Sequence, residues 1–119
     1  MSENATAFDS VLEACQDQHR RIVLGVLTEE RRSLTLNELT EAVVTHNHRT
    51  PPAEAPEDVL REIRLSLYHV HLRKLDAEGF VNYDPVRQLV EPTDRLAQAQ
   101  STLSPILAAD PSLETPLEL

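Results

Sequence analysis

Glycine is nearly absent from this chain, with two in 119 residues. No phosphate-cradling loop can be built from so few, which removes P-loop and dinucleotide-fold readings. Aromatic residues make up 3% and tryptophan is missing, so a core drawn from the 40% hydrophobic content must be aliphatic. A single cysteine, Cys15, excludes an internal disulfide. The start MSENATAFDS has neither the basic residues nor the apolar run of a signal peptide, and no apolar run is long enough to span a bilayer. The expectation is therefore a cytoplasmic protein with no membrane partner. Its length fits one domain with a modest core that needs no staples.

Basic residues are also in deficit. Eleven Lys and Arg against twenty Asp and Glu leave a net charge of −9. At ordinary ionic strength that balance repels a polyanion.

What the chain does have is organised around Val59 to Tyr83. The spacing predicts a helix over 59–78, a glycine stop and a strand. Leu65, Tyr68, Leu72 and Leu75 recur on one helical face, and Ile63, Leu67 and Val70 widen it into an arc. Glu62, Ser66, His69, Arg73 and Asp76 form a narrower polar band opposite, while Arg64 and His71 flank the core. Gly79 stands where a left-handed C-terminal cap is wanted, and Phe80, Val81 and Tyr83 open a β-type segment.

The run from Leu67 to Val81, LYHVHLRKLDAEGFV, resembles the recognition helix and first wing strand of a winged helix-turn-helix domain. More closely, SLYHVHLRKLDAEGFVNYD is similar to a group of small, acidic haloarchaeal winged-helix proteins presumed to regulate transcription. The resemblance spans about Asp9 to Thr93. It implies a mainly α protein with a small β-hairpin wing (α+β), a winged helix-turn-helix with an additional C-terminal helix. It also implies double-stranded DNA as partner and a cytoplasm molar in salt. At ~1 M salt the screening length is about 3 Å, so a distant acidic surface barely opposes a local basic contact.

The remaining segments fit that order. Residues 1–7 read as a flexible N-terminus, 8–93 as the winged domain, 94–108 as a C-terminal helix and 109–119 as a disordered acidic tail. A first helix is expected over Phe8 to Leu27, capped by Thr6 or Asp9. Arg20, Arg21, Arg31 and Arg32 fall at and after its end, where they complement the helix dipole or contact phosphate. Ser33 to Leu36 is a short β run suited to pairing with the wing, and Asn37 an N-cap for a helix Glu38 to Thr45. The stretch from His46 to Pro56, with three prolines, is longer than the usual turn between the two helices. The wing is expected over 80–91, its turn at Asp84 to Arg87. Thr93 caps the last helix, whose stripe of Leu96, Ala99 and Leu103 either closes a homodimer, the favoured reading, or folds back on the first helix.

Candidate DNA-binding residues are Ser66, His69 and Arg73, facing the major groove, and Arg87 at the wing tip. The rival reading is a winged-helix protein–protein interaction module without DNA binding. No catalytic constellation is found: Ser66 and His69 share a face but lack an orienting acid and an oxyanion loop. No cofactor and no metal site are expected. His69 and His71 diverge by about 200° on one helix, and Cys15, which pairs locally with His19, falls in an apolar stripe.

Overall fold

Asp17 decides how the chain begins. The structure, a computed structural model, describes residues 2–48 and 50–113, with side chains for 7–47 and 50–113. Where one helix was expected over Phe8 to Leu27, it has two, α1 (Ser2–Ala14) and α2 (Gln18–Glu30). Asp17 is extended, at φ −114° and ψ 135°, and its Oδ1 accepts from the N–H groups of His19 at 2.8 Å and Arg20 at 3.3 Å. A carboxylate that satisfies the open donors of a new helix favours the break. Arginines from α2 satisfy the carbonyls at the end of α1. Arg20 Nε donates to Ala14 O at 2.9 Å and Nη2 to Glu13 O at 3.2 Å, while Arg21 Nη1 donates to Cys15 O at 2.6 Å. Both guanidinium groups are thereby occupied by partners within the fold. The helix already runs from Ser2, so the segment expected to be flexible is helical and Thr6 and Asp9 lie inside α1.

The strand β1 (Leu34–Thr35) runs directly into α3 (Leu36–Val43). Its cap is Thr35, not Asn37. Thr35 Oγ1 accepts from Glu38 N at 3.0 Å and Glu38 Oε1 from Thr35 N at 2.9 Å, a reciprocal capping box. A π-helical turn, Val44–His48, and a short 3-10 turn, Pro52–Glu54, lead to α4 (Glu57–Ser66).

One continuous helical rod follows: α4, a π-helical segment Leu67–His71, and α5 (Leu72–Ala77). Within the segment, Leu72 N donates to Leu67 O, five residues back. The extra residue in that turn rotates the second half of the rod by roughly 100°. Ile63, Leu67, Leu72 and Leu75 consequently line up on the core side. Leu65 and Val70, expected in the apolar arc, are 48% and 53% exposed. The rod ends at Gly79 as expected, with φ 85°, Gly79 N bonded to Asp76 O and Phe80 N to Leu75 O. That is a Schellman cap, and the left-handed residue suits glycine.

The wing strands are β2 (Val81–Asp84) and β3 (Leu89–Pro92), one residue later than expected because Phe80 enters the core ahead of the ladder. The antiparallel sheet runs β1-β3-β2, pairing Leu34 and Tyr83 with the two edges of Val90. The whole is a mostly helical α+β fold with the element order of a winged helix.

Its additional C-terminal part is α6 (Asp94–Gln98), capped by Thr93, and α7 (Gln100–Ala109). Leu96 and Leu103 are buried with Val11, Leu24 and Phe80 of the same chain. The stripe folds back on α1, so the face expected to close a homodimer is already covered. Asp110 holds this part to α2, its Oδ2 accepting from Arg21 Nε at 2.6 Å. Pro111–Leu113 forms a 3-10 turn and Leu113 packs on the core, so the tail expected to be disordered from 109 is structured to that point. Residues 114–119 lie outside the described residues.

Two stability measurements check these contacts. In urea unfolding, Leu67→Ala should cost about 2–4 kcal/mol and Leu65→Ala under about 1; equal losses would mean that the rod lacks its extra residue. Burial raises the Asp110 carboxyl, but bonds from Arg21 and Ser112 outweigh it and hold the group below its ordinary 3.8. A carboxyl depressed on folding stabilises above its unfolded value and loses that contribution as pH falls through the folded one. Asp110→Asn should therefore cost about 1–2 kcal/mol at neutral pH, with the difference from wild type fading below pH 3.8.

Candidate nucleic-acid interface

Two tyrosines join the long rod to the wing. Tyr68, in the π-helical segment, meets Tyr83 of β2 edge to face, with ring centroids 6.0 Å apart at 89°. Asp76 of α5 adds a second tie, its Oδ2 accepting from Tyr83 N at 2.8 Å. Burial raises the Tyr83 phenol above its ordinary range, Tyr68 adding to this and Arg73 opposing it.

His69 and Arg73 flank this joint. His69 is exposed, its ring 4.8 Å from that of Tyr68 at 77°. Arg73 is exposed as well, with its guanidinium carbon 5.6 Å from the centroid of the same ring. Such a cation–π contact is worth about 0.5–1 kcal/mol at an exposed site and restrains a long side chain. Ser66 is half-buried at the end of α4 and takes no part in this cluster.

Arg87 is held separately, by the wing turn. Asp84 Oδ1 accepts from the backbone N–H groups of Val86 and Arg87, both at 3.1 Å, and Gln88 turns the chain with φ 54°. The tip is thereby fixed with Arg87 exposed and Val86 91% exposed. The structure thus brings His69 and Arg73 each against the ring of Tyr68, leaves Ser66 aside and puts Arg87 on the braced turn of the wing.

Lys74, Arg32 and Arg95 are engaged by neighbours in the fold. Lys74 donates to Glu13 of α1 at 2.7 Å and lies 3.6 Å from Glu78. The pair holds Lys74 above and Glu13 below their ordinary values, chiefly through their mutual hydrogen bond. Arg32 sits between Glu30 and Glu38, each at 3.4 Å. Arg95 stacks over Phe80 at 5.3 Å. Arg61 is exposed on α4.

Several members of this surface escaped the sequence reading. Tyr68 was expected only as a core residue, and its role as a platform has no periodic signal. Leu65 and Val70 had the spacing of core residues and reach solvent because of the extra residue in the π-helical turn. On the opposite side of the same segment, His71 is buried against Arg20 and Asp17. Cys15, the residue weighed against a metal role, is buried among apolar neighbours, and burial raises its thiol above the ordinary value against the pull of Arg21 and Arg20.

Among the described residues, no helix is long and apolar enough to cross a membrane. No curated protein and no solved structure matches the chain. Residues 12–91 match the model of a family described as a domain of unknown function, DUF7344. That span takes in α2, the sheet and the whole helical rod with its wing, and the chain belongs to the DUF7344 family.

Proposed function

We propose that this protein is a DNA-binding transcriptional regulator that reads the major groove with the exposed side of the rod and touches the DNA backbone with its wing. The observation that carries this reading is that exposed His69 and Arg73 both touch the Tyr68 ring and Arg87 stands on a braced wing turn, while Lys74, Arg20 and Arg21 are held by groups at the end of α1. A guanidinium restrained at a helix surface suits bidentate contact with guanine, and a wing arginine suits a phosphate or the minor groove. Exposed Leu65 and Val70 offer apolar contact of the kind a thymine methyl accepts. Ser66, half-buried, is left with at most a marginal contact.

The net charge of −9 sets the conditions. The resemblance of Ser66 to Asp84 to haloarchaeal winged-helix proteins supports binding in molar salt, where screening confines repulsion to short range. Counterion release contributes less there, so hydrogen bonds and shape carry the affinity. A cytoplasmic location and the absence of a catalytic step belong to the same reading.

The second reading is a protein-interaction module, favoured by the exposure of Leu65 and Val70 on the rod and of Val86 on the wing. Selection of duplexes from genomic fragments in molar potassium chloride separates the two. Wild type should enrich a shared site. Arg73→Ala should lose roughly 10- to 100-fold in affinity and relax one base position, and Arg87→Ala should weaken all sites alike. No enrichment by folded wild-type protein would overturn the DNA reading and leave the interaction module.

A further inference from the structure

Beneath the rod, on the side away from the candidate interface, three side chains of metal-ligating type converge, two from the start of α2 and one from the rod. Asp17 caps α2, His19 lies in its first turn, and His71 ends the π-helical segment. One donor atom from each lies within 4.8 Å of the other two, and His71 Nε2 is 3.7 Å from Asp17 Oδ1. The imidazole rings meet edge to face, 5.6 Å apart at 75°. His71 is 7% exposed and the other two are half-buried, so the group is sheltered yet open on one side.

We propose that Asp17, His19 and His71 bind a divalent transition-metal cation of the zinc class, with its fourth position open to water. Two imidazoles and one carboxylate suit zinc, cobalt or nickel, whereas calcium and magnesium take mostly oxygen donors. Bonds of about 2.1 Å hold tetrahedral ligands about 3.4 Å apart. The 3.7 Å pair is already near that spacing, and the other donors, within 4.8 Å of one another, have at most about 1.4 Å to close. In the metal-free protein Asn47 Nδ2 donates to His19 Nε2 at 3.2 Å; ligation through Nδ1 leaves the ring proton on Nε2, and turning the Asn47 amide over presents Oδ1 to accept it, as outer partners do around ligating imidazoles.

Proton bookkeeping gives the cost. Arg20 Nη1 lies 3.3 Å from His71 Nδ1, so in the metal-free protein Nδ1 accepts and the ring proton sits on Nε2, toward Asp17. Ligation through Nε2 moves that proton to Nδ1, and Arg20 must release His71. The guanidinium keeps its bonds to Ala14 O and Glu13 O, so one long contact is exchanged for a metal–nitrogen bond. The bound cation would pin the first turn of α2 to the segment that carries His69 on its outer side. This site stands whether or not the outer surface binds DNA.

The probe is cobalt, titrated into the full chain and followed by visible absorption, then displaced by zinc. Wild type should take up one equivalent with the intense ligand-field bands of four-coordinate cobalt. His19→Ala and His71→Gln should each weaken binding by more than about tenfold, while His69→Ala, whose ring faces solvent, keeps it. Circular dichroism confirms that each variant is folded; His19, half-buried on a helix surface, makes its variant decisive if His71→Gln unfolds. Equal cobalt affinity in wild type and His19→Ala, or loss of binding in His69→Ala, would overturn the proposal.

Discussion

One extra residue in the turn Leu67–His71 determines which side of the long rod is core and which is surface. The i to i+5 bond from Leu72 to Leu67 brings Leu72 and Leu75 into line with Ile63 and Leu67. Burying four such side chains contributes several kcal/mol, about 1.5–3 for each, and this holds the register. Everything on the outer side follows from it: His69 and Arg73 flank Tyr68, and Leu65 and Val70 face solvent. The cap at Gly79 then delivers Phe80 to the core and the wing to the edge of that same surface.

Charge is divided by the same geometry. Arg20, Arg21 and Lys74 bond to carbonyls at the end of α1, to Glu13 and to Asp110 after α7, and so act as struts. Arg73 and Arg87 on the outer side rest on an aromatic ring and a tight turn. A protein with a large excess of acid can present a local basic contact only if its few arginines are restrained where they are needed. His71 and His69, two residues apart, face opposite sides of the rod, one buried and one exposed.

Much of the fold was legible in the chain. Gly79 followed by Phe80 and Val81, the β run at Ser33 to Leu36 and the Thr93 cap all act locally, so their residue types announce them. The Thr35-x-x-Glu38 capping box was also written there, but Asn37 offered a competing cap and was preferred. The break at Asp17 was hidden because apolar spacing continues across it, and its stabilising partners, Arg20 and Arg21, reach back to carbonyls with no sequence signature. The extra residue in the rod was hidden for a similar reason. A wheel with 3.6 residues per turn averages two differently oriented halves into one broad arc. The candidate surface was therefore legible in His69, Arg73 and Arg87 and illegible in Tyr68, Leu65 and Val70. The meeting of His71 with Asp17 and His19 depends on tertiary packing alone.

The most direct test of the central claim, that the outer side of the rod and the wing form one DNA-contacting surface, is an amide NMR titration of the full chain with duplex DNA in molar potassium chloride. The account predicts shifts concentrated at 65–73 and 85–88, with α7 unmoved. Shifts centred on α1 and α7, or none at saturating DNA, would contradict it.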